Sequence, residues 1–151
     1  MNDFIHFYKP KLYNNSIIKY EYDLGKYPGA YSITNIHNMT CHFINKNRVF
    51  DLLEEYINNE NIQYDCIISL RVDCIIKNNF EFDNLKDNTI YIPYGYDYLN
   101  NAINDQIAYG KVEVMKKHNS INPLDLLEKN LSIPHPESLN YANINFHNLQ
   151  I

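Results

Sequence analysis

Apolar positions along this chain fall into blocks of different period. Between Thr40 and Asn58, the residues Phe43, Val49, Phe50, Leu53, Tyr56 and Ile57 recur near the spacing that gathers side chains on one helical face. Asn38 or Thr40 can cap that helix, and Lys46, Asp51, Glu54 and Glu55 fall on the face left for solvent. Next, Tyr64–Arg71 encloses an almost unbroken apolar run, the pattern of a strand buried on both faces. The run passes Val72-Asp73 and continues into Cys74-Ile75-Ile76. Thr89-Ile90-Tyr91-Ile92 is a second short strand, stopped by Pro93.

Beyond a loop dense in Tyr and Asn (94–101), a helix is expected from Asn104 or Asp105 to about His118. Ile107, Ala108, Val112 and Met115 face inward on it, and Gly110 is a mild defect. Pro123–Glu128 reads as a short helix with Pro in its first turn. Pro134-His135-Pro136-Glu137 is a stiff link in which Pro136 opens a last helix to about Ala142. Ile144–Ile151 reads as a final edge strand. Residues 1–36 are aperiodic and broken by Pro10, Pro28 and Gly29, with short strands expected near Ile17–Tyr22 and Ala30–Thr34. The expected organisation is one domain over 1–151: an irregular segment over 1–36 and a core over 37–151. Helix followed by buried strand is the rhythm of an α/β sandwich.

Composition changes this picture little. With 151 residues the chain can bury a core. Asn makes up roughly one residue in six, far above common usage. Asn, Ile, Lys and Tyr together suggest an AT-rich coding sequence, so Asn clusters carry no functional weight here. The net charge of −5 without a basic stripe argues against nucleic acid as a partner. Cys41, Cys66 and Cys74 show no CxxC spacing, and Cys66 and Cys74 sit in apolar runs as buried free thiols. No signal-peptide pattern and no membrane-length apolar run is visible. A reducing, cytoplasmic setting follows, the host cytoplasm if the chain is viral.

Three short motifs can carry chemistry. Arg71-Val72-Asp73 stands where a buried strand emerges, and ligands of open α/β sheets bind beyond the carboxyl ends of strands. Asp73 there can hold a divalent cation, and Arg71 can pair with a phosphate or with a carboxylate. The bland alternative is a strand-end ion pair. Asn104-Asp105-Gln106 opens the expected helix. Asp105 is then a cap, a general base facing an acceptor hydroxyl, or a group that binds sugar hydroxyls. His135 with Glu137 is held between prolines, as a phosphate contact, a metal ligand or a plain loop residue. The other histidines, His42 and His118 among them, read as structural. Tyr91, Tyr94, Tyr96 and Tyr98 can stack on sugar or base rings. GxSxG, P-loop, GxGxxG and HExxH signatures do not occur.

The order of these features resembles a group of GT-A-like glycosyltransferases found in large DNA viruses, algae and some microbes. Its best pieces are the Tyr64-Asp65 strand running into Arg71-x-Asp73 and the stretch Asn104-Asp105-Gln106-x-Ala108-Tyr109-Gly110; His135-Pro136-Glu137 follows in order. The likeness covers about 36–145. It implies a GT-A-like sandwich with a small mixed, mostly parallel sheet, and sugar transfer from a nucleotide-diphosphate donor to a hydroxyl on a glycan or protein, with Mn²⁺ or Mg²⁺. It implies Asp73 as metal ligand and Asp105 as base. It also implies substrate contacts at Arg71, Asn104, Gln106, Tyr109 and His135. Two departures stand out. Arg71 occupies the first acidic place of the class's D-x-D motif, and only 70 residues precede it, so the nucleotide-binding side is expected to be incomplete. A non-catalytic relative serving as a binding or assembly module is the alternative, as is an unrelated α/β protein matching by chance. An unpaired sheet edge invites a second copy of the chain as partner.

Overall fold

The computed structural model of this chain describes residues 33–77, 79–95 and 101–151. The expected strand at Ile17–Tyr22, most of the irregular N-terminal segment, Tyr96 and Tyr98 lie outside them. The elements are α1 (Ile33–Glu60), β1 (Ile67–Leu70), β2 (Ile107–Gly110), α2 (Val112–Asn119), α3 (Pro123–Glu128) and α4 (Pro136–Phe146).

Helix α1 is longer than its apolar stripe suggested. Ile36, Met39 and Phe43 are buried at helical spacing, so the helical pattern starts before Thr40 and takes in Thr34, which was expected at a strand end. The helix serves two cores. Ile36, Met39 and Phe43 pack with Ile121 and with Leu126 and Leu127 of α3, and with Leu139 and Ala142 of α4. One further stretch along, Phe50 joins Ile67, Ala108, Val114, Met115, Ile144, Ile90 and Leu149 from the strands, α2, α4 and their flanks. Between the two clusters α1 turns polar side chains inward. Asn47 donates to the Ile121 carbonyl at 2.6 Å, and Lys46, expected on the solvent face, donates to the Asp105 carbonyl at 2.8 Å. Val49, expected inside, is 65% exposed.

Three helices end on the same device. Asn61, Asn130 and Asn148 follow α1, α3 and α4 with φ of 52°, 54° and 52°, left-handed positions that Asn tolerates better than most residues. The next residue, Ile62, Leu131 or Leu149, then donates its N–H five residues back, to Ile57, Leu126 or Ile144. The α3 and α4 starts follow from proline. Pro123 and Pro136 occupy first-turn positions, and the Asn122 side chain accepts from the Leu124 N–H at 3.2 Å. Helix α4 continues to Phe146, past the expected stop at Ala142. The expected edge strand over Ile144–Ile151 is reduced to a bridge from Gln150 to Thr89.

The sheet differs from expectation in its pairing. β1 and β2 run antiparallel, with Ile67 opposite Gly110 and Leu70 opposite Ile107. Among the described residues the parallel component is the single Thr89–Gln150 bridge, and the Thr89–Ile92 strand is represented by that bridge and one from Tyr91 to Tyr109. The reason is the connection. The chain leaves β1 at Arg71 and re-enters β2 beside it, whereas parallel pairing needs a crossover to the far end. The helix expected from Asn104 is also replaced. Ile107–Gly110 is a strand and helix begins only at Val112. Along 107–110 burial alternates, with Ala108 and Gly110 inside, and Ile107 and Tyr109 are residue types that suit a pleated surface. Gly110 there is no helix defect. A Cβ on it would stand 3.2 Å from the Thr89 carbonyl oxygen, so its lack of a side chain lets the Thr89 segment approach.

Candidate functional site

The segment 103–106 is a junction for all three motifs. The Arg71 N–H donates to the Gln106 carbonyl at 3.0 Å, and the Ile103 N–H donates to the Glu137 carbonyl at 3.0 Å. The RxD turn and the HPE link are thus tied to the two ends of the segment that holds Asn104-Asp105-Gln106. The turn there is built by Asn104, whose side-chain oxygen accepts the Gln106 N–H at 2.9 Å. Such local bonds favour turns over helix, which explains why no helix starts here. Asn140, in the middle of α4, then donates to the Asn104 carbonyl at 2.8 Å.

Asp105 is buried, with its side chain 5% exposed, and its Oδ2 lies 3.2 Å from Nε2 of His42 on α1. His42 and Lys46 stand one helical turn apart and reach the same residue, one at the carboxylate and one at the main-chain carbonyl. Burial works to raise the Asp105 carboxyl, but His42, Lys46 and Arg71 outweigh it and hold it below the usual range. Burial lowers the Lys46 ammonium to about 8; the charge of Asp105 opposes that and the charge of Arg71 adds to it. Neither His42 nor Lys46 stood out in the sequence. The available signal was their i, i+4 spacing beside Phe43, which puts both on the face that also buries Phe43 and Phe50.

Arg71 and Asp73 form a forked pair just past β1, Nε to Oδ1 at 3.0 Å and Nη2 to Oδ2 at 2.6 Å. The hydrogen bond from Arg71 keeps the Asp73 carboxyl below its usual range, with His42 among the smaller contributors. Both carboxylate oxygens are therefore engaged, and Asp73 is 61% exposed. Among the described residues no three His, Cys, Asp or Glu side chains converge as a metal group. Asp73 as placed, with both oxygens on Arg71, offers little to a Mn²⁺ or Mg²⁺.

The other expected contacts spread outward. Gln106 accepts a weak bond from the Cys74 thiol at 3.5 Å; Cys66 and Cys74 are half-buried free thiols, more open than expected. Tyr109 lies on β2 with its ring stacked on Tyr91 at 5.0 Å and set edgewise against Phe80 at 5.2 Å. These rings line a cavity of about 570 Å³ with Ile76, Pro93 and Ile107. Tyr94 is fully exposed. His135 pairs through Nδ1 with its neighbour Glu137 at 3.0 Å. It thus sits at the start of α4, beside the junction through Glu137.

No protein-family model, curated protein or solved structure matches the chain. Among the described residues no helix is long and apolar enough to cross a membrane.

Proposed function

We propose that this chain transfers a sugar from a nucleotide-diphosphate donor to a hydroxyl acceptor at the junction around Asp105. One observation carries the reading: the three motifs singled out in the sequence, separated by about 30 residues from one to the next, are joined by main-chain bonds through 103–106. Lys46 and Arg71 then bring cationic groups to one region in which Asp105 is the buried carboxylate. An anionic diphosphate suits those cations, and a hydroxyl acceptor needs a proton acceptor close by. Tyr109, with Tyr91, offers an aromatic wall to a sugar or base.

The forked Arg71–Asp73 pair favours a second reading, a module that keeps the junction for binding without turnover. In it Arg71 is spent on its neighbour and the diphosphate has one cation fewer.

Thermal-shift binding of uridine, guanosine, adenosine and cytidine diphosphates, with and without Mn²⁺, tests both. A ligand at 100 times its Kd stabilises by about 2.7 kcal/mol, roughly 5–10 °C in Tm for a chain of this size. Expected is such a shift with one nucleotide, lost in Lys46→Met, accompanied by release of nucleoside diphosphate from the matching sugar donor. Binding without release supports the module. No shift from a folded protein defeats both readings.

A further inference from the structure

The sequence pointed to Asp105 as the base. The geometry points elsewhere. Asp105 is 5% exposed, whereas its partner His42 is 23% exposed; Nε2 of that imidazole is buried with no hydrogen bond closed in this geometry, and Asp105 Oδ2 stands 3.2 Å from it. A carboxylate against Nε2 favours the tautomer with hydrogen on that nitrogen. The lone pair is then on Nδ1, on the side of the ring turned away from Asp105. A group that removes a proton must come within hydrogen-bond reach of it; Asp105 is covered, whereas His42 is partly exposed. Lys46, bonded to the Asp105 carbonyl one turn along the same helix, fixes α1 against this segment. A buried carboxylate beside a part-exposed imidazole is the arrangement of an oriented general base.

Resting on the transferase reading, we propose that His42 takes the proton from the acceptor hydroxyl and that Asp105 is its positioning residue. The acceptor O–H bond breaks and its proton passes to Nδ1. The acceptor oxygen bonds to the anomeric carbon of the donor. The bond from that carbon to the diphosphate oxygen breaks, and its electron pair leaves with the nucleoside diphosphate. A charged imidazole then faces the Asp105 carboxylate, which stabilises it. Asp105 keeps its own charge throughout, in line with the cations that hold its carboxyl low.

The experiment measures nucleoside-diphosphate release from uridine, guanosine and adenosine diphosphate sugars with methyl glycosides as acceptors, in the full chain. His42→Gln, whose amide still reaches Asp105, should bind the donor in thermal shift like the wild type while kcat falls about 100-fold or more. His42→Gly should be equally slow and regain turnover when free imidazole is added, a response a structural residue does not give. Asp105→Asn should lose turnover and gain nothing from imidazole. A His42→Gln enzyme within about threefold of wild-type kcat overturns the assignment and leaves the transferase reading standing, as does a slow His42→Gly that imidazole does not restore. A wild type that turns over no donor defeats the transferase reading, and the assignment with it.

Discussion

At the scale of single residues, burial of charge decides most of what can be measured. His118 is fully enclosed, with Nε2 bonded to Asn140 at 2.8 Å, and burial lowers its pKa to about 3 from the ordinary 6.5. The unfolded chain therefore binds more protons than the native one between those values. Stability contributed by neutral His118 is complete above pH 6.5 and is lost as pH falls towards 3, roughly 5 kcal/mol over the whole window. Urea midpoints should fall from pH 6.5 downward, before the carboxylates titrate, and His118→Gln should flatten that slope. Lys46 has the same sense at the alkaline end. Its folded value of about 8 lies below the unfolded 10.5, so the cost of burying its charge is present below 8 and relieved as pH rises to 10.5. Between those values its contribution to stability should rise, while nucleoside-diphosphate affinity in the same protein falls as the cation is lost. The Arg71-x-Asp73 and Asn104-Asp105-Gln106 motifs were visible in the sequence because residue type and order suffice to notice them. His42 and Lys46 were not, because a polar residue on a helix defaults to the solvent face until a partner from 59 residues away claims it.

At the scale of elements, backbone conformations that few residues accept carry the sequence information. Asn130 and Asn148 end α3 and α4 in the left-handed region. Replacing either by Ala should cost about 1 kcal/mol and by Gly almost nothing, since the left-handed penalty belongs to the Cβ; equilibrium urea unfolding of the four variants checks it. Equal losses with Ala and Gly would show that the Asn side chains matter instead. Gly110 makes the complementary case. Its Cβ would meet a backbone oxygen at 3.2 Å and Val114 Cγ1 at 3.4 Å, so Gly110→Ala should destabilise by about 1–3 kcal/mol through crowding. The proline-led starts of α3 and α4 were legible because Pro fixes φ locally. β2 was not, because Ile107-Ala108-Tyr109-Gly110 is four residues long and its helical neighbours Val112 and Met115 extend an apparent helical period backwards through it. An abundance of Asn that looked like coding bias proves to supply three helix ends.

At the scale of the molecule, the site depends on polar side chains buried between elements. Asn140 of α4 accepts from His118 of α2 and donates to the Asn104 carbonyl, so one amide connects two helices to the junction that holds Asp105. Asn143, one turn further along α4, donates to the His118 carbonyl. Both are buried, and both tie α4 to α2, but only Asn140 reaches 103–106. Truncating Asn140 leaves two buried partners unsatisfied, at about 1–3 kcal/mol for each, and truncating Asn143 leaves one. Both variants should therefore be destabilised, Asn140→Ala more so. Hydrogen exchange separates stability from position. The Arg71 and Gln106 amides, bonded to the Gln106 carbonyl and the Asn104 side chain, should lose protection in Asn140→Ala beyond what its global unfolding accounts for. In Asn143→Ala they should lose only the global share. The same excess in both variants would mean that α4 supports the junction as a rigid whole, and that no single amide sets where Asp105 sits.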